Sequence, residues 1–286
     1  MKYALVDGIK TEATPKAQGK CLCCGAEVIA KCGEKRAWHW AHKNNEECNY
    51  SKKEPKTQWH LDWQNYFPKE WQEVRCPEDN PIHIADIKTP EGLVVEFQHS
   101  YISAGAKLAR EQFHKNMIWV VDGTRLKKDF IRFYEKFNNL EPLGINREKN
   151  ILLYKVKFMD NLLPECWREL TVPVYFDFRI EKTDDIENEK EKILRNLIWG
   201  FFRINQWVFA VSMPHDCFVE YVKQNKLKEI YQYAWQLIAN SIKTPQKQVP
   251  KTINQAKGVR RSIVLPSNAS ARKINRLMTK YPGSRF

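Results

Sequence analysis

Residues 83–98 constrain the fold more than any other part of the 286-residue chain. Two short runs of alternating side chains flank a turn rich in Pro and Gly, which is typical of two antiparallel strands. We expect Lys88 to lie opposite Val94, and therefore Asp86 to lie opposite Glu96. Since side chains alternate between the two faces of a strand, this register brings the two carboxylates together.

The other face of this hairpin is apolar and suited to a core. Its residues are Ala85, Ile87, Val95 and Phe97. Adjacent carboxylates repel one another, and a shared cation removes that cost. An all-oxygen site favours Mg²⁺ or Mn²⁺. The alternative is an exposed strand pair with ordinary surface acids, and this pattern alone does not decide between the two.

The segments around the hairpin indicate an α/β unit of about 80 residues. Apolar residues repeat at helical spacing over 57–67, and Pro68 is expected to end that helix. The expected elements that follow are strands at 71–76, 82–88 and 93–100, a helix at about 103–115, a strand at 117–121, and a helix at 127–138.

The second half predicts further strands and helices. The strands are expected at about 151–158, 172–179 and 207–212, and the helices at about 187–203 and 215–241, the latter broken near Asn225. Residues 138–150 are interpreted as a connector. We therefore divide the chain into four parts: an N-terminal strand and knuckle at 1–50, a core at 51–138, a mixed α/β region at 139–242, and a basic tail at 243–286.

Five of the eight cysteines lie within residues 21–48, and this density favours a metal site over disulfides. Two thiolates of a Cys-x-x-Cys-Gly knuckle and a second Cys/His pair would close a structural zinc site. The predicted ligands are Cys21, Cys24, His42 and Cys48. His39 competes with His42, and Cys23 competes less well with Cys21. Neither histidine is followed by the Glu of a His-x-Glu motif, which argues against a zinc deaminase.

The net charge of +13 is concentrated in the tail, where residues 243–286 hold eleven Lys and Arg and no acid. Such a segment suits a phosphate backbone through counterion release, or an acidic membrane surface; we favour nucleic acid over a merely solvated tail. The candidate contacts are Arg260, Arg261, Arg272, Lys273, Arg276 and Lys280. No run approaches the ~18 apolar residues of a membrane span, so a cytoplasmic location is expected.

Several motifs together resemble the CoiA-like competence protein family over about residues 1–125. They are Tyr3-Ala-Leu-Val-Asp7-Gly, the knuckle, His39-Trp-Ala-His42-Lys, Trp59-His60, Asp86 with Glu96-Phe97-Gln98-His99-Ser100, and Trp119-Val-Val-Asp122-Gly. The family is similar to PD-(D/E)XK nucleases. The resemblance implies a restriction-endonuclease-like core, a mixed sheet flanked by helices, that cleaves DNA in uptake, recombination or defence against foreign DNA.

The resemblance also implies roles for single residues. Asp86 and Glu96 would bind Mg²⁺ or Mn²⁺, and Gln98 takes the place of the usual catalytic Lys without its positive charge. Many relatives carry an acid four residues before the helix histidine, where this chain has Lys56; Glu54 is a candidate substitute. His60 either reaches the site or is a surface or capping residue.

Other residues carry weaker expectations. His83 and His99 are interpreted as bystanders, while Arg110 and Gln112 are candidates for phosphate contacts. Two alternatives to a nuclease remain open: a degenerate nuclease fold that only binds DNA, and a protein whose aromatic second half docks a protein partner. The candidate docking residues are Trp167, Trp199, Trp207 and Trp235, although aromatics at such spacings are more often core.

Overall fold

The computed structural model describes residues 1–34, 37–44, 48, 56–76, 83–146, 148, 150–159, 161–180 and 186–243. A small antiparallel sheet opens the chain, with strand order β2-β1-β3-β4-β5. Its strands are β1 (Tyr3–Val6), β2 (Ile9–Glu12), β3 (Gln18–Lys20), β4 (Glu27–Lys31) and β5 (His39–His42). The N-terminal strand predicted within residues 1–50 is confirmed, and four more strands accompany it.

A second sheet of nine strands forms the body of the protein. The strands are β6 (Gln72–Cys76), β7 (His83–Lys88), β8 (Val94–Gln98), β9 (Met117–Asp122), β10 (Leu140–Asn146), β11 (Ile151–Val156), β12 (Val174–Asp177), β13 (Leu197–Ile204) and β14 (Trp207–Pro214). Their order is β10-β11-β14-β13-β12-β9-β8-β7-β6. Strands β8, β9 and β12 run parallel and the other neighbours antiparallel, so the predicted mixed sheet is confirmed.

Six α-helices lie within the described residues. They are α1 (Gln58–Asn65), α2 (Ala104–His114), α3 (Lys127–Glu135), α4 (Glu189–Arg195), α5 (His215–Lys223) and α6 (Leu227–Lys243). The Thr57 hydroxyl accepts a hydrogen bond from the backbone N–H of His60 at 3.3 Å and so begins α1. The break predicted near Asn225 is confirmed, since this residue has a φ of 54° between α5 and α6. None of the described helices is both long and apolar enough to span a bilayer.

Two predictions in the second half are wrong. Residues 140–146 form strand β10 rather than a connector, and the helix predicted at 187–203 ends at Arg195. Residues 197–204 form β13, a central strand whose apolar side chains are buried on both faces, so its sequence lacks the alternation that marks a half-buried strand. The close packing of β13 against β12 leaves no room for a side chain at Gly200, because a Cβ there would lie 2.4 Å from the Tyr175 ring.

Helices pack on both faces of the large sheet and define two core clusters. The α3 cluster contains Phe130 and Phe133 of α3, and the α5 cluster contains Phe218 and Val222 of α5. The strands of residues 139–242 continue the same sheet as the hairpin, so this region completes the fold.

The four candidate docking residues differ in exposure. Trp167 and Trp199 are core, Trp207 is half-buried, and Trp235 is 39% exposed.

Glu73 of β6 joins the small sheet to the large one. Its carboxylate accepts hydrogen bonds from the backbone N–H groups of Lys2 and Tyr3, each at 3.1 Å. The Tyr3 hydroxyl donates to Gln72 Oε1 at 2.8 Å. Ile84 of β7 also packs in the core cluster of the small sheet. The N-terminal unit is therefore held against the edge of the sheet that carries the hairpin.

Candidate active site and metal centre

The hairpin adopts the register predicted from its sequence. Lys88 pairs with Val94 and Ile87 pairs with Val95. Beyond these pairs the carboxylates cross between the strands: the Phe97 N–H donates to Asp86 Oδ2 at 3.1 Å, and the Asp86 N–H donates to Glu96 Oε1 at 3.3 Å. The two acids are therefore adjacent, as expected.

The apolar face differs from its prediction at one position. Ile87, Val95 and Phe97 lie together in the α5 cluster, but Ala85 packs with Val94 in the α3 cluster. The neighbouring strand is distorted at this level, because Glu73 of β6 has a φ of 44°. Simple alternation therefore fails beside Asp86, where the backbone departs from regular pleating.

Asp86 is 4% exposed. Two of its neighbours are Lys56, which precedes α1, and His60, which lies within α1. Lys56 Nζ lies 3.1 Å from Asp86 Oδ1 and 2.9 Å from Glu73 Oε1. Burial alone would lower the pKa of the Lys56 ammonium, but the Asp86 and Glu73 carboxylates outweigh it and hold the pKa above its usual value. Lys56 is thus a partly buried cation between two carboxylates.

His60 also points toward Asp86. Its side chain is therefore not a surface group in this structure. Its Nε2 lies 3.2 Å from Asp86 Oδ1, a close contact whose angles fall outside hydrogen-bond geometry. Burial lowers the pKa of His60 below its usual value, and the positive charge of Lys56 adds to this, while Asp86 opposes it. The imidazole is therefore neutral at neutral pH and can accept a proton.

Glu96 is 1% exposed, and two side chains of α2 lie next to its carboxylate. Arg110 Nη1 lies 3.3 Å from Glu96 Oε2, and His114 Nε2 lies 3.8 Å from Oε1. Arg110, a candidate phosphate contact, thus neutralises a hairpin carboxylate in this structure. Gln112 is exposed on the same helix.

Gln98 lies at the end of β8 and is 9% exposed. Its side-chain amide donates to the Ser100 carbonyl at 2.9 Å and to the Ser100 hydroxyl at 3.1 Å. These two bonds fix its orientation. The neighbouring His99 places Nδ1 2.6 Å from Asp122 Oδ2, and the ring of His83 packs against Phe113 with centroids 4.2 Å apart.

Sequence reasoning missed the roles of Glu73 and His114 and treated Lys56 only as a departure from a motif. Glu73 carries no local signal, since its partners lie about 17 and 70 residues away along the chain. His114 does lie one helical turn beyond Arg110 on α2, and that spacing could have paired the two. Glu54 lies outside the described residues, so the helix acid is not placed.

The hairpin offers a divalent cation two carboxylates. Mg²⁺ commonly binds to one or two carboxylates and completes its shell with water, so this donor chemistry fits. No set of three Cys, His, Asp or Glu ligands is gathered around Asp86 or Glu96 among the described residues. Lys56 and Arg110 already contact one oxygen of each acid, so a metal would bind beside them or displace them.

The Cys/His cluster predicted near the N-terminus is assembled. The ligand atoms of Cys21, Cys24, His42 and Cys48 all lie within 4.8 Å of one another, and the cluster can hold a metal ion such as zinc. Cys21 Sγ is 3.9 Å from Cys48 Sγ, and Cys24 Sγ is 3.3 Å from His42 Nε2. Tetrahedral ligands at ~2.3 Å from zinc lie about 3.8 Å apart, so these separations fit.

The competing ligands lie outside the cluster. The His39 Nδ1–H donates to the Ala37 carbonyl at 2.9 Å, and His39 pairs with Lys31 on β4, whereas His42 pairs with Val28 beside the knuckle. Cys23 is buried, but it is not one of the four. His42 is therefore the better choice between the two histidines.

The knuckle turn explains how the chain brings two thiols together. The Gly25 N–H donates to the Cys21 carbonyl at 3.0 Å, and Gly25 has a φ of 75°, a conformation that glycine adopts without strain. Burial raises the pKa of the Cys21 thiol to about 12. A bound cation would favour the thiolate that this environment otherwise disfavours.

The tail residues predicted to contact nucleic acid lie outside the described residues. They are Arg260, Arg261, Arg272, Lys273, Arg276 and Lys280.

Comparison with known families supports the resemblance found in the sequence. The family described as "Competence protein CoiA, N-terminal domain" matches residues 10–51, which include all four residues of the Cys/His cluster. This confirms the similarity to CoiA-like competence proteins over that segment and leaves the hairpin outside the match. Searches of curated proteins and of solved structures gave no match.

Proposed function

We propose that this protein is a metal-dependent nuclease that hydrolyses DNA phosphodiester bonds on a PD-(D/E)XK-like core, in a competence-related role such as DNA uptake or recombination. The CoiA N-terminal match supports the competence setting. The observation that carries the chemistry is the adjacency of two buried carboxylates, Asp86 and Glu96, on neighbouring strands.

Two buried acids side by side are costly unless positive charge compensates them. Function supplies a reason to keep them, since Asp86 and Glu96 would together hold Mg²⁺ or Mn²⁺. When bound, the metal would lower the pKa of a bound water and neutralise charge on the phosphate. Metal binding requires buried carboxylates that are already in position. The Phe97 N–H holds the Asp86 carboxylate in place, and the Asp86 N–H holds the Glu96 carboxylate.

Lys56 would supply the positive charge that a neutral Gln98 does not. Its ammonium lies 3.1 Å from Asp86 Oδ1, close to where a scissile phosphate would approach the acids. A cation at that place stabilises negative charge that develops on the phosphoryl oxygens. His60, neutral and also beside Asp86, would accept or orient a proton of the attacking water.

The remaining parts of the chain would hold the substrate and the fold. The basic tail would bind the DNA backbone. A zinc ion in the Cys/His cluster would be structural, because four protein ligands leave no position for a catalytic water. Glu73 connects the sheet of this cluster to Lys56, so the N-terminal unit would help to position the cation.

A second candidate function is a degenerate nuclease fold that binds DNA without cutting it. Lys56 favours it, since the ammonium already contacts one of the two Asp86 oxygens on which a metal would depend. A cation built into the chain can replace the metal and leave a stable but inactive site.

Cleavage of a panel of single-stranded, duplex and branched DNA and of RNA, in Mg²⁺, Mn²⁺ or EDTA, separates the two functions. We expect metal-dependent cutting that Asp86→Asn abolishes while DNA binding is kept. Asp62→Asn is the matched control, because Asp62 is an exposed acid on α1. Tight binding without cutting in any metal would reject the nuclease in favour of the degenerate fold.

A further inference from the structure

A cleft of about 510 Å³ lies at one end of strands β11, β13 and β14. We call it the β11–β14 cleft and define it by Lys155, Lys157, Phe158, Arg203 and Trp207. Strand β14 is four places from β8 in the sheet order, which corresponds to about 19 Å at the spacing of neighbouring strands. The cleft is therefore separate from the hairpin acids, and neither the sequence motifs nor the family match covers it.

The charge of the cleft has a single sign among its described lining residues. Lys155, Lys157 and Arg203 are cations, and the described lining includes no acid. Among the described residues, the carboxylate that pairs with Lys157 is Glu141, with Nζ 3.7 Å from Oε2 and both side chains about half exposed, so this pair is weak. A concave surface with unbalanced positive charge attracts polyanions.

Aromatic rings alternate with these cations. Lys155 Nζ lies 4.1 Å from the centroid of the Trp207 ring, a cation–π contact. Phe158 is 65% exposed, so its ring is open to solvent. The indole N–H of Trp207 is buried and has no acceptor among the described residues.

We infer that the β11–β14 cleft binds a single-stranded segment of nucleic acid, with phosphates at Lys155, Lys157 and Arg203 and a base against Phe158. The inference rests on the proposed function for the choice of nucleic acid among polyanions. Interleaved cations and exposed rings are what a single strand requires, because backbone charge and base stacking are then bound together. A duplex keeps its bases stacked within itself and would leave Phe158 without a partner.

The test measures binding of the full chain to fluorescently labelled oligonucleotides of about 20 nucleotides by anisotropy, without added Mg²⁺ or Mn²⁺ so that no metal-dependent cutting occurs. Single-stranded DNA, single-stranded RNA and duplex DNA are compared. Phe158→Ala is matched with Ile131→Ala, an apolar residue on α3 that is 53% exposed. Lys155→Gln with Arg203→Gln is matched with Lys127→Gln and Lys128→Gln, two exposed cations of α3.

We expect Phe158→Ala to weaken single-strand binding about tenfold and to leave duplex binding unchanged, since stacking of one base is lost. The double glutamine variant should reduce the slope of log K against log salt by about 1.4, or ~0.7 for each phosphate contact. Either control pair should change neither quantity. If Phe158→Ala bound single strands as tightly as Ile131→Ala does, the cleft would be rejected as a single-strand site. An equal loss of affinity for duplex DNA would reject it as well.

The same binding measurements in an Asp86→Asn background separate this inference from the proposed catalysis. Loss of cutting with the cleft effect intact supports both proposals. A cleft effect in a chain that never cuts supports the cleft alone and rejects the nuclease.

Discussion

Lys56 Nζ lies between two buried carboxylates, 3.1 Å from Asp86 Oδ1 and 2.9 Å from Glu73 Oε1. The Lys56 side chain is 14% exposed, that of Asp86 6%, and that of Glu73 is fully buried. One ammonium therefore links the hairpin to the strand that anchors the N-terminal sheet.

Removing the charge of Lys56 should destabilise the fold. Lys56→Met leaves two acids without their shared cation, and loss of one member of a buried ion pair typically costs about 3–5 kcal/mol. Urea unfolding followed by circular dichroism measures the loss. Lys43→Met is the control, since its pair with Glu27 is exposed and should contribute under about 1 kcal/mol. Equal stability of the two variants would show that Lys56 is not a structural link.

His215 should make stability depend on pH. Burial and the positive charge of Arg179 together lower its pKa to about 4, against the opposing charges of Asp177 and Asp216. Since the unfolded chain binds this proton near pH 6.5 and the folded chain only near 4, stability is lost as pH falls through that window. The loss approaches about 1.4 kcal/mol per pH unit.

Urea titrations between about pH 7 and pH 4 test this dependence. His215→Phe should flatten the slope, and His39→Asn, in the small sheet, should keep it. A slope unchanged by His215→Phe would assign the pH dependence to other groups, including His60, whose pKa burial also lowers.

Metal analysis of the purified protein should find about one zinc per chain. Cys21→Ser with Cys24→Ser should lose it, and so should His42→Asn. His39→Asn and Cys23→Ser are the matched controls, because both residues lie outside the cluster and should leave the zinc content unchanged. Zinc retained in the double serine variant, or lost in His39→Asn, would overturn the predicted ligand set.

Gly200 and Gly105 should respond in opposite ways to alanine. A Cβ at Gly200 would lie 2.4 Å from the Tyr175 ring in the middle of the sheet, whereas nothing lies within 4 Å of a Cβ at Gly105 of α2. Gly200→Ala is expected to cost about 1–3 kcal/mol or more through overpacking. Gly105→Ala should be neutral or stabilise by up to about 1 kcal/mol, because alanine favours the helix. Equal unfolding midpoints in urea would contradict the tight packing of β13 against β12.

Local patterns were enough to predict the hairpin and the knuckle. Alternation on both strands and a Pro- and Gly-rich turn determine the register of Lys88 with Val94, and that register brings Asp86 to Glu96. The knuckle is equally local, since a Cys-x-x-Cys-Gly turn brings its two thiols together. The sequence favours His42 but leaves His39 as a competitor, and the pairing of β4 with β5 agrees with His42.

Interactions between distant segments could not be predicted in the same way. The run 197–204 is apolar except for Gly200 and Arg203, and only its position between β12 and β14 makes it a strand. Glu73 looks like an ordinary strand acid until the N-terminus folds onto it. The sequence shows Lys56 only as a basic residue where many relatives carry an acid. Its contact with Asp86 depends on how α1 packs on the sheet.

The site also predicts that a positive charge moved to a neighbouring position restores part of the activity lost with Lys56. If Lys56 replaces the catalytic lysine that Gln98 lacks, Lys56→Gln should lower the rate of DNA cleavage about 100- to 1,000-fold, the usual effect of removing one transition-state contact. Adding Gln98→Lys to that variant returns a cation to the end of β8 and should recover part of the rate. Lys56→Arg should retain more activity than Lys56→Gln.

Single-turnover cleavage at saturating enzyme measures these rates, and circular dichroism verifies that each variant is folded at the assay temperature. Gln112→Lys on α2 is the control for simple addition of charge, since Gln112 is exposed. Rescue by Gln98→Lys but not by Gln112→Lys would assign the charge to the hairpin site. Full activity in Lys56→Gln would instead make Lys56 a structural cation, because chemistry that proceeds without its charge cannot depend on it.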